Sequence, residues 1–177
     1  MRRIETERLV LKPLQLTDAT QMYADWLNDP EVNQYLETRY QEHTIASCQA
    51  FIEQCNGDTS TQLFGIFVKA TGAHIGNAKL GFIHPVYLRG QLSLFIGNKA
   101  YWNKGLASEV VKSLTDFGFA ELGLNRIEAG CYEENLSSLR IFLKAGYNVE
   151  GFLRSHVISN GKSSGCFWLG ILKNERR

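Results

Sequence analysis

Several features that mark common classes of binding or membrane protein are missing from this sequence of 177 residues. The cysteines form no C-x-x-C pair of the kind that binds zinc, so we expect no metal and reduced thiols. No hydrophobic run approaches transmembrane length, and residues 1–13 lack the apolar core of a signal peptide. The formal net charge of +1 favours neither nucleic acid nor an anionic membrane as a partner. These absences predict a cytoplasmic protein.

The two commonest nucleotide-binding loops are also missing, because the chain has neither Gly-x-x-x-x-Gly-Lys-Ser/Thr nor Gly-x-Gly-x-x-Gly after a strand. Residues 92–122 nevertheless have the order of a phosphate site. The apolar run 92–96 predicts a buried strand, a polar turn with Gly105 follows, and apolar residues then recur at helical spacing: Leu106, Val110, Leu114 and Phe117. The unpaired N–H groups of a helix's first turn attract anions. The same order also occurs at junctions that bind nothing, so the pattern alone leaves both interpretations open.

Periodicity along the rest of the chain predicts one domain of mixed strands and helices, without repeats or linkers. The predicted strands are residues 8–13, 63–69, 74–83, 92–96, 126–132, 147–159 and 166–172, the last two joined by the turn Asn160-Gly161. The first helix is predicted to begin at an N-cap formed by Thr17-Asp18 and to end before Pro30. Further helices are predicted over 31–36, 45–55, 106–122 and 135–145. This mixture predicts an α+β fold.

Three stretches resemble the GNAT superfamily of N-acetyltransferases and occur in its order. YWNKGLASE, residues 101–109, is similar to the acetyl-CoA-binding motif Gln/Arg-x-x-Gly-x-Gly/Ala, and ENLSSLRIFLKAGY, residues 134–147, to the block Asn-x-x-Ser/Ala…Lys-x-Gly-Phe/Tyr. TERLVLKPLQLTDATQMYADWLNDPEV, residues 6–32, resembles the opening of the ribosomal-protein (RimJ/RimL-type) branch. The resemblance implies one GNAT domain over residues 1–177. Its single mixed, mostly antiparallel twisted sheet of about seven strands would be splayed between the fourth and fifth strands and flanked by about four helices.

The resemblance also implies acetyl-CoA as co-substrate, without a metal. The pantetheine arm would lie like an extra strand beside residues 92–96, at Phe95 and Ile96, where a backbone N–H would polarise the thioester carbonyl. The pyrophosphate would reach the loop at the helix start, formed by Trp102, Asn103, Lys104, Gly105, Leu106 and Ala107. Only Gly105 and Ala107 match the motif strictly, since Trp102 replaces Gln or Arg and Asn103 stands where many members have Gly.

Catalytic residues are assigned through the same resemblance. Asn135 matches the motif Asn that contacts the pantetheine arm, although its spacing also fits a helix N-cap. Many members meet the leaving thiolate with a Tyr seven residues later, where this chain has Phe142, which has no proton to donate. The ribosomal-protein branch uses a Ser three residues after the Asn, which assigns the acid to Ser138 unless it is a helix-surface serine.

The base that takes the proton of the amine is less well defined. Glu128 lies in the region where several members keep a catalytic Glu, but its register does not match, and a solvated strand position is the alternative. Ordered water could remove the proton instead. The rival candidates are Glu109, Glu133, His84, His156 and, for a covalent route, Cys131.

The acceptor amine would enter over the N-terminal helices and the last hairpin, which places Tyr35, Glu37 and Arg39 at the substrate. Their segment Tyr-Leu-Glu-x-Arg resembles members that acetylate amino sugars, whereas the preceding Asn-Asp-Pro-Glu-Val is shared with the ribosomal-protein type. A surface ion pair between Glu37 and Arg39 is the alternative. Gly165 stands where relatives often carry a substrate-contacting Asp on that hairpin.

We therefore expect an N-acetyltransferase that moves the acetyl group of acetyl-CoA to a primary amine by direct attack in a ternary complex. The amine would belong to a small molecule or a peptide. The alternatives are an amino-sugar (nucleotide-sugar) N-acetyltransferase and a catalytically degenerate module that senses acetyl-CoA. Homodimers are common in the superfamily, although no residue pattern here specifies one.

Overall fold

A mixed sheet forms the middle layer of the structure, a computed structural model that describes residues 3–159 and 161–176. Its eight described strands are β1 (Ile4–Glu5), β2 (Leu9–Pro13), β3 (Gln62–Val68), β4 (His74–His84), β5 (Arg89–Ile96), β6 (Arg126–Tyr132), β7 (Asn148–Ser159) and β8 (Lys162–Leu172). Their order is β1-β2-β3-β4-β5-β6-β8-β7, with β5 and β6 parallel and the other neighbours antiparallel. The predicted α+β class is confirmed. The strand beyond the predicted seven is β1, whose two residues are too few to show periodicity.

Five described α-helices cover the two faces of the sheet, against about four predicted from the resemblance: α1 (Gln21–Asn28), α2 (Pro30–Asn33), α3 (Ile45–Gly57), α4 (Leu106–Ala120) and α5 (Leu136–Lys144). Successive side chains of β2 point to opposite faces of the sheet and show which helices cover each face. Leu9 and Leu11 are buried with α4 and α5, whereas Val10 is buried with α1, α2 and α3. Burying each such side chain stabilises the fold by about 1.5–3 kcal/mol. None of these described helices is long and apolar enough to cross a bilayer.

Capping side chains set where the N-terminal helices begin. Thr20 caps α1 by accepting a backbone N–H of the first turn, so the predicted cap at Thr17-Asp18 is wrong. Asp18 instead closes a separate short turn, which delays the helix. Asp29 ends α1 and caps α2, in agreement with the boundary predicted from Pro30. The helix α2 ends at Asn33, earlier than the predicted residue 36.

The last hairpin is longer than its sequence pattern predicted. Its strand β8 begins at Lys162, which pairs with Ser159, rather than at residue 166. The first residues of β8 are polar and exposed, so a pattern of hydrophobic residues does not reveal that the strand extends back to them. Gly161 has a φ of 74°, as a tight turn requires, while Asn160 of the predicted turn lies outside the described residues.

The sheet opens between β5 and β6, which are the fourth and fifth strands of the predicted count. They pair only where Arg89–Gln91 faces Arg126–Glu128. Beyond that register, β5 continues to Ile96 bonded to β4, and β6 continues to Tyr132 bonded to β8. The predicted splay is therefore confirmed, and it leaves a cleft in the middle of the sheet.

Candidate active site

The cleft is lined by backbone groups that have no strand partner across it. Residues 92–96 of β5 and 129–132 of β6 each pair on one side only, so alternate N–H and C=O groups of both strands face the gap. Ser93 and Gly130 are exposed although they lie in central strands. Phe95 and Ile96 are half-buried, one packed towards each face of the sheet. An extended molecule can bind such edges as an added strand does.

The loop after β5 presents a row of free amides at one end of the cleft. Asn103 and Gly105 adopt the left-handed conformation, with φ of 58° and 75°, and Gly105 begins α4. Within the described residues, the backbone N–H groups of residues 103–107 have no hydrogen-bond acceptor. Turns of this kind and free helix N-termini bind anions. Lys104 adds an exposed ammonium group that has no acidic partner in the described part of the chain.

The side chain of Trp102 anchors this loop to the end of β5. Its indole Nε1 donates to the carbonyl of Ile96 at 2.7 Å, and its ring packs beside the core beneath α1 and α3. The side chain is therefore engaged with the end of β5, which explains how it can stand where a Gln or Arg is usual. The backbone around it carries the free amides.

Arg8 and Glu109 clamp the same loop from the side of β2. Arg8 donates from Nη1 to the carbonyl of Lys104 at 2.9 Å and from Nε to Glu109 at 2.8 Å. Burial opposes ionisation of Glu109, but hydrogen bonds from Thr6 and Arg8 outweigh it and lower its pKa. This carboxylate in the first turn of α4 is thus compensated by a guanidinium, so it does not leave the helix N-terminus negative.

Asn135 and Ser138 lie at the start of α5, beside the open part of β6. Asn135 is the N-cap, since its Oδ1 accepts the backbone N–H of Ser138 at 3.1 Å. The Oγ of Ser138 lies 3.3 Å from the Sγ of Cys131 on β6. Burial raises the pKa of Cys131 to about 11, so this thiol is a poor nucleophile and a covalent route gains no support. Phe142 is buried against Tyr147 in the core.

Glu128 lies on the opposite face of β6, at the closed end of the cleft. It pairs with Gln91 at the last position before the strands separate, and strand alternation puts it on the side away from Cys131 and α5. Its carboxylate accepts hydrogen bonds from Arg126 Nε at 2.8 Å and Arg89 Nη1 at 3.3 Å. The structure thus places Glu128 and Ser138 on opposite faces of the sheet, with Glu128 held by two arginines where the strands still pair.

The other candidate bases lie away from the open part of the cleft or, like Glu128, have hydrogen-bond or stacking partners of their own. Glu133 accepts the backbone N–H of Gly165 at 3.0 Å, and His84 stacks on Tyr87 in the β4–β5 hairpin. His156 lies exposed on β7. At Gly165, where an Asp is often found, the ring of Phe152 fills the space that a side chain would need.

The predicted acceptor residues meet at the end of β6. Tyr132 donates its hydroxyl hydrogen to Glu37, and Arg39 donates from Nη1 to the same hydroxyl at 2.9 Å. Arg39 also donates from Nη2 to the carbonyl of Ile158 on the last hairpin, at 2.6 Å. The ring of Tyr35 packs edge-on against Tyr132. Glu37 and Arg39 therefore meet through a phenol rather than as the direct ion pair that was the alternative.

Tyr132 is the residue of this group that sequence reasoning missed. Burial, followed by its hydrogen bond to Glu37, raises its pKa to about 12. The available signal was its position as the last residue of β6, three before the motif Asn, on the face opposite Cys131. Among the residues that the structure describes, no three His, Cys, Asp or Glu side chains are grouped as metal ligands.

Comparisons with known proteins show which family and which solved structures this chain is similar to. Residues 8–148 match the family model described as "Acetyltransferase (GNAT) domain". The chain is 32% identical to the uncharacterized N-acetyltransferase p20 of Bacillus licheniformis, over 99% of this chain and 98% of the relative. It is 25% identical to the spermidine N(1)-acetyltransferase of Escherichia coli, over 91% of this chain and 79% of the relative. Spermidine N-acetyltransferase from Vibrio cholerae, solved with CoA and spermine, shares the fold with a TM-score of 0.87 at 19% identity, covering 96% and 98% of the two chains.

Proposed function

Because the chain belongs to the GNAT acetyltransferase family and takes its acetyl group from acetyl-CoA, we propose that it acetylates a primary amine on a small, positively charged molecule. The transfer occurs by direct attack in a ternary complex. The observation that carries this proposal is the open cleft between β5 and β6, with Ser138 on the α5 face of the sheet and Glu128 on the opposite face at the closed end.

The cofactor lies in the cleft in this proposal. The pantetheine arm hydrogen-bonds to the free edge of β5 around Phe95 and Ile96, and to Asn135 at the start of α5. The pyrophosphate accepts hydrogen bonds from the free backbone N–H groups of residues 103–107, and Lys104 contributes a positive charge. Trp102 supports this loop from behind through its bond to Ile96.

The chemistry then proceeds from one face to the other. The amine loses its proton to Glu128 or to water beside it, and its nitrogen attacks the thioester carbonyl. A backbone N–H of β5 stabilises the oxyanion of the tetrahedral intermediate. When the carbon–sulfur bond breaks, its electron pair stays on sulfur, and Ser138 donates a proton to that thiolate. The nitrogen, positively charged since its attack, gives up its second proton to water and becomes the neutral amide. Ser138 regains a proton from solvent.

Glu37 supports a positively charged acceptor. One of its carboxylate oxygens accepts from Tyr132, while the other has no partner in the described residues, and the side chain is exposed. A carboxylate held in place by a buried phenol attracts an ammonium group. The spermidine N-acetyltransferases among the similar proteins act on a substrate of this class, which is the further support for it.

The test is thiol release from acetyl-CoA with a panel of amines: spermidine, a nucleotide-linked amino sugar and a peptide with a ribosomal-protein N-terminus. We expect spermidine to react fastest, and Glu37→Gln to raise its KM about tenfold through loss of a charged hydrogen bond. Glu42→Gln, an exposed change in the same loop, is the matched control and should leave KM unchanged.

Other outcomes would replace the proposal. Preference for the nucleotide-linked amino sugar would support an amino-sugar acetyltransferase, and preference for the peptide would support the ribosomal-protein type. Tight acetyl-CoA binding without thiol release from any amine would support a sensor of acetyl-CoA.

A further inference from the structure

The hydroxyl of Ser138 has one described neighbour within hydrogen-bonding distance, the thiol of Cys131 at 3.3 Å. Cys131 lies on the part of β6 that has no β5 partner, and it points towards α5. It is 2% exposed, whereas Ser138 is only half-buried at the start of α5. The contact therefore joins the core to the candidate acid.

The direction of this hydrogen bond decides whether Ser138 can act as an acid. Each group has one hydrogen, and either could donate to the other. If Ser138 donated to sulfur, its hydrogen would point into the core and away from the leaving thiolate. Burial keeps Cys131 protonated by raising its pKa to about 11, and no other acceptor for its S–H is present in the described residues. A thiol that donates to Oγ satisfies its own hydrogen and leaves the serine hydrogen free.

We propose that Cys131 is a positioning residue, which donates its S–H to the Oγ of Ser138 and so directs the serine hydrogen into the cleft. The inference rests on the proposed function, in which Ser138 meets the leaving thiolate. Cys131 itself forms no bond to the substrate and transfers no proton. Its contribution is the orientation of one hydroxyl group.

Kinetics with the fastest amine of the panel test the role. We expect Cys131→Ala to lower kcat about three- to tenfold, the size of one modest hydrogen bond, with the KM for acetyl-CoA unchanged. Cys131→Ser should restore most of the rate, because a hydroxyl can donate in the same direction. Cys48→Ala is the matched control, since Cys48 is also buried but lies on α3, in the core on the other face of the sheet. That control should keep the full kcat.

A double mutant separates orientation from packing. If Cys131 acts through Ser138, the variant with both Cys131→Ala and Ser138→Ala should be no slower than Ser138→Ala alone. A packing role would instead make the two losses multiply. A full kcat in Cys131→Ala would overturn the proposal, because it would mean that Ser138 points into the cleft without help.

Infrared spectroscopy of the S–H stretch supplies a readout that needs no substrate. Cys131→Ala identifies the band of this thiol by removing it. We expect Ser138→Ala to shift that band to higher frequency, because the S–H loses its acceptor. A band that does not move would show that the thiol does not donate to Ser138, and would also overturn the proposal.

The roles of Ser138 and Cys131 are distinguished by different variants. If Ser138→Ala keeps the full kcat, Ser138 is not the acid and the proposed mechanism is wrong. If Ser138→Ala is slow but Cys131→Ala is not, the mechanism stands and the role of Cys131 is wrong. If no amine is a substrate, the infrared band alone decides whether the thiol donates to Ser138.

Discussion

The two ends of the cleft are built in different ways. At the cofactor end, the loop 98–105 and the start of α4 present backbone amides, and the side chains there mostly hold the loop in place: Trp102, Arg8 and Glu109. At the acceptor end, residues 34–43 present side chains, and Tyr132 joins Glu37 to Arg39. A site made of backbone tolerates changes of sequence, whereas a site made of side chains changes its ligand when they change.

This difference explains why the acetyl-CoA motif is recognisable although it is imperfect. Asn103 takes a left-handed φ of 58° without being glycine, and Trp102 replaces a polar residue, yet the free amides remain. The acceptor end has no comparable signature, because its contacts link residues that are far apart in sequence. Variants at the two ends should therefore affect different substrates.

The largest expected effect comes from changing the backbone at the cofactor end. Gly105→Val should raise the Kd for CoA about 30-fold, because a β-branched residue at a φ of 75° costs about 2 kcal/mol and would distort the loop. Calorimetry with CoA measures this. Gly123→Val is the matched control, since Gly123 has a φ of 65° beyond the other end of α4, with open space around it. Equal losses of CoA binding in both variants would show that general strain, rather than the loop, is responsible.

A smaller effect is expected at the acceptor end, where a variant should weaken binding of the amine and leave binding of CoA unchanged. Tyr132→Phe removes the hydroxyl that joins Glu37 to Arg39 but keeps the ring against Tyr35. We expect the KM for the amine to rise about five- to tenfold, with the Kd for CoA unchanged, as measured by thiol release and calorimetry. Tyr87→Phe, on an exposed hairpin, should change neither constant. A weaker affinity for CoA in Tyr132→Phe would break the division between the two ends.

The smallest effect concerns the clamp beneath the cofactor loop. Since the pKa of Glu109 is lowered in the folded protein, its charge stabilises the fold above the ordinary value of 4.5, and this contribution is lost as pH falls through the folded pKa. We expect Glu109→Gln to lower the free energy of unfolding by about 1 kcal/mol at pH 7, with the difference shrinking below pH 4.5. Urea denaturation at several pH values measures it, with the exposed Glu53→Gln as control. If the difference in unfolding free energy between the wild type and Glu109→Gln grew as the pH fell, the pKa of Glu109 would not be lowered by folding.

The fold was largely predictable because its strands and helices have local periodicity. The exceptions have local causes. Thr20 caps α1 because Asp18 is used in a separate turn, and β8 extends back to Lys162 through polar residues that pair by backbone alone. The splay between β5 and β6 followed from the resemblance and not from any pattern of residues.

The candidate site was predictable where the backbone forms it and much less so where side chains do. Gly105 at the start of a helix carries its own signal, because the helix end and the glycine are both visible in sequence. Tyr132 had no such signal, since its role depends on a loop almost a hundred positions earlier in the chain. The contact between Cys131 and Ser138 also depends on how α5 packs on β6, which sequence spacing does not define.

Hydrogen exchange of the backbone amides, with and without CoA, tests the central claim most directly. We predict that CoA slows exchange over residues 92–96 and 103–107, because the cofactor accepts hydrogen bonds from these free groups, and leaves residues 34–43 unchanged. Adding the amine acceptor as well should then slow exchange in residues 34–43. Protection by CoA confined to residues 34–43, or absent from 103–107, would contradict the account.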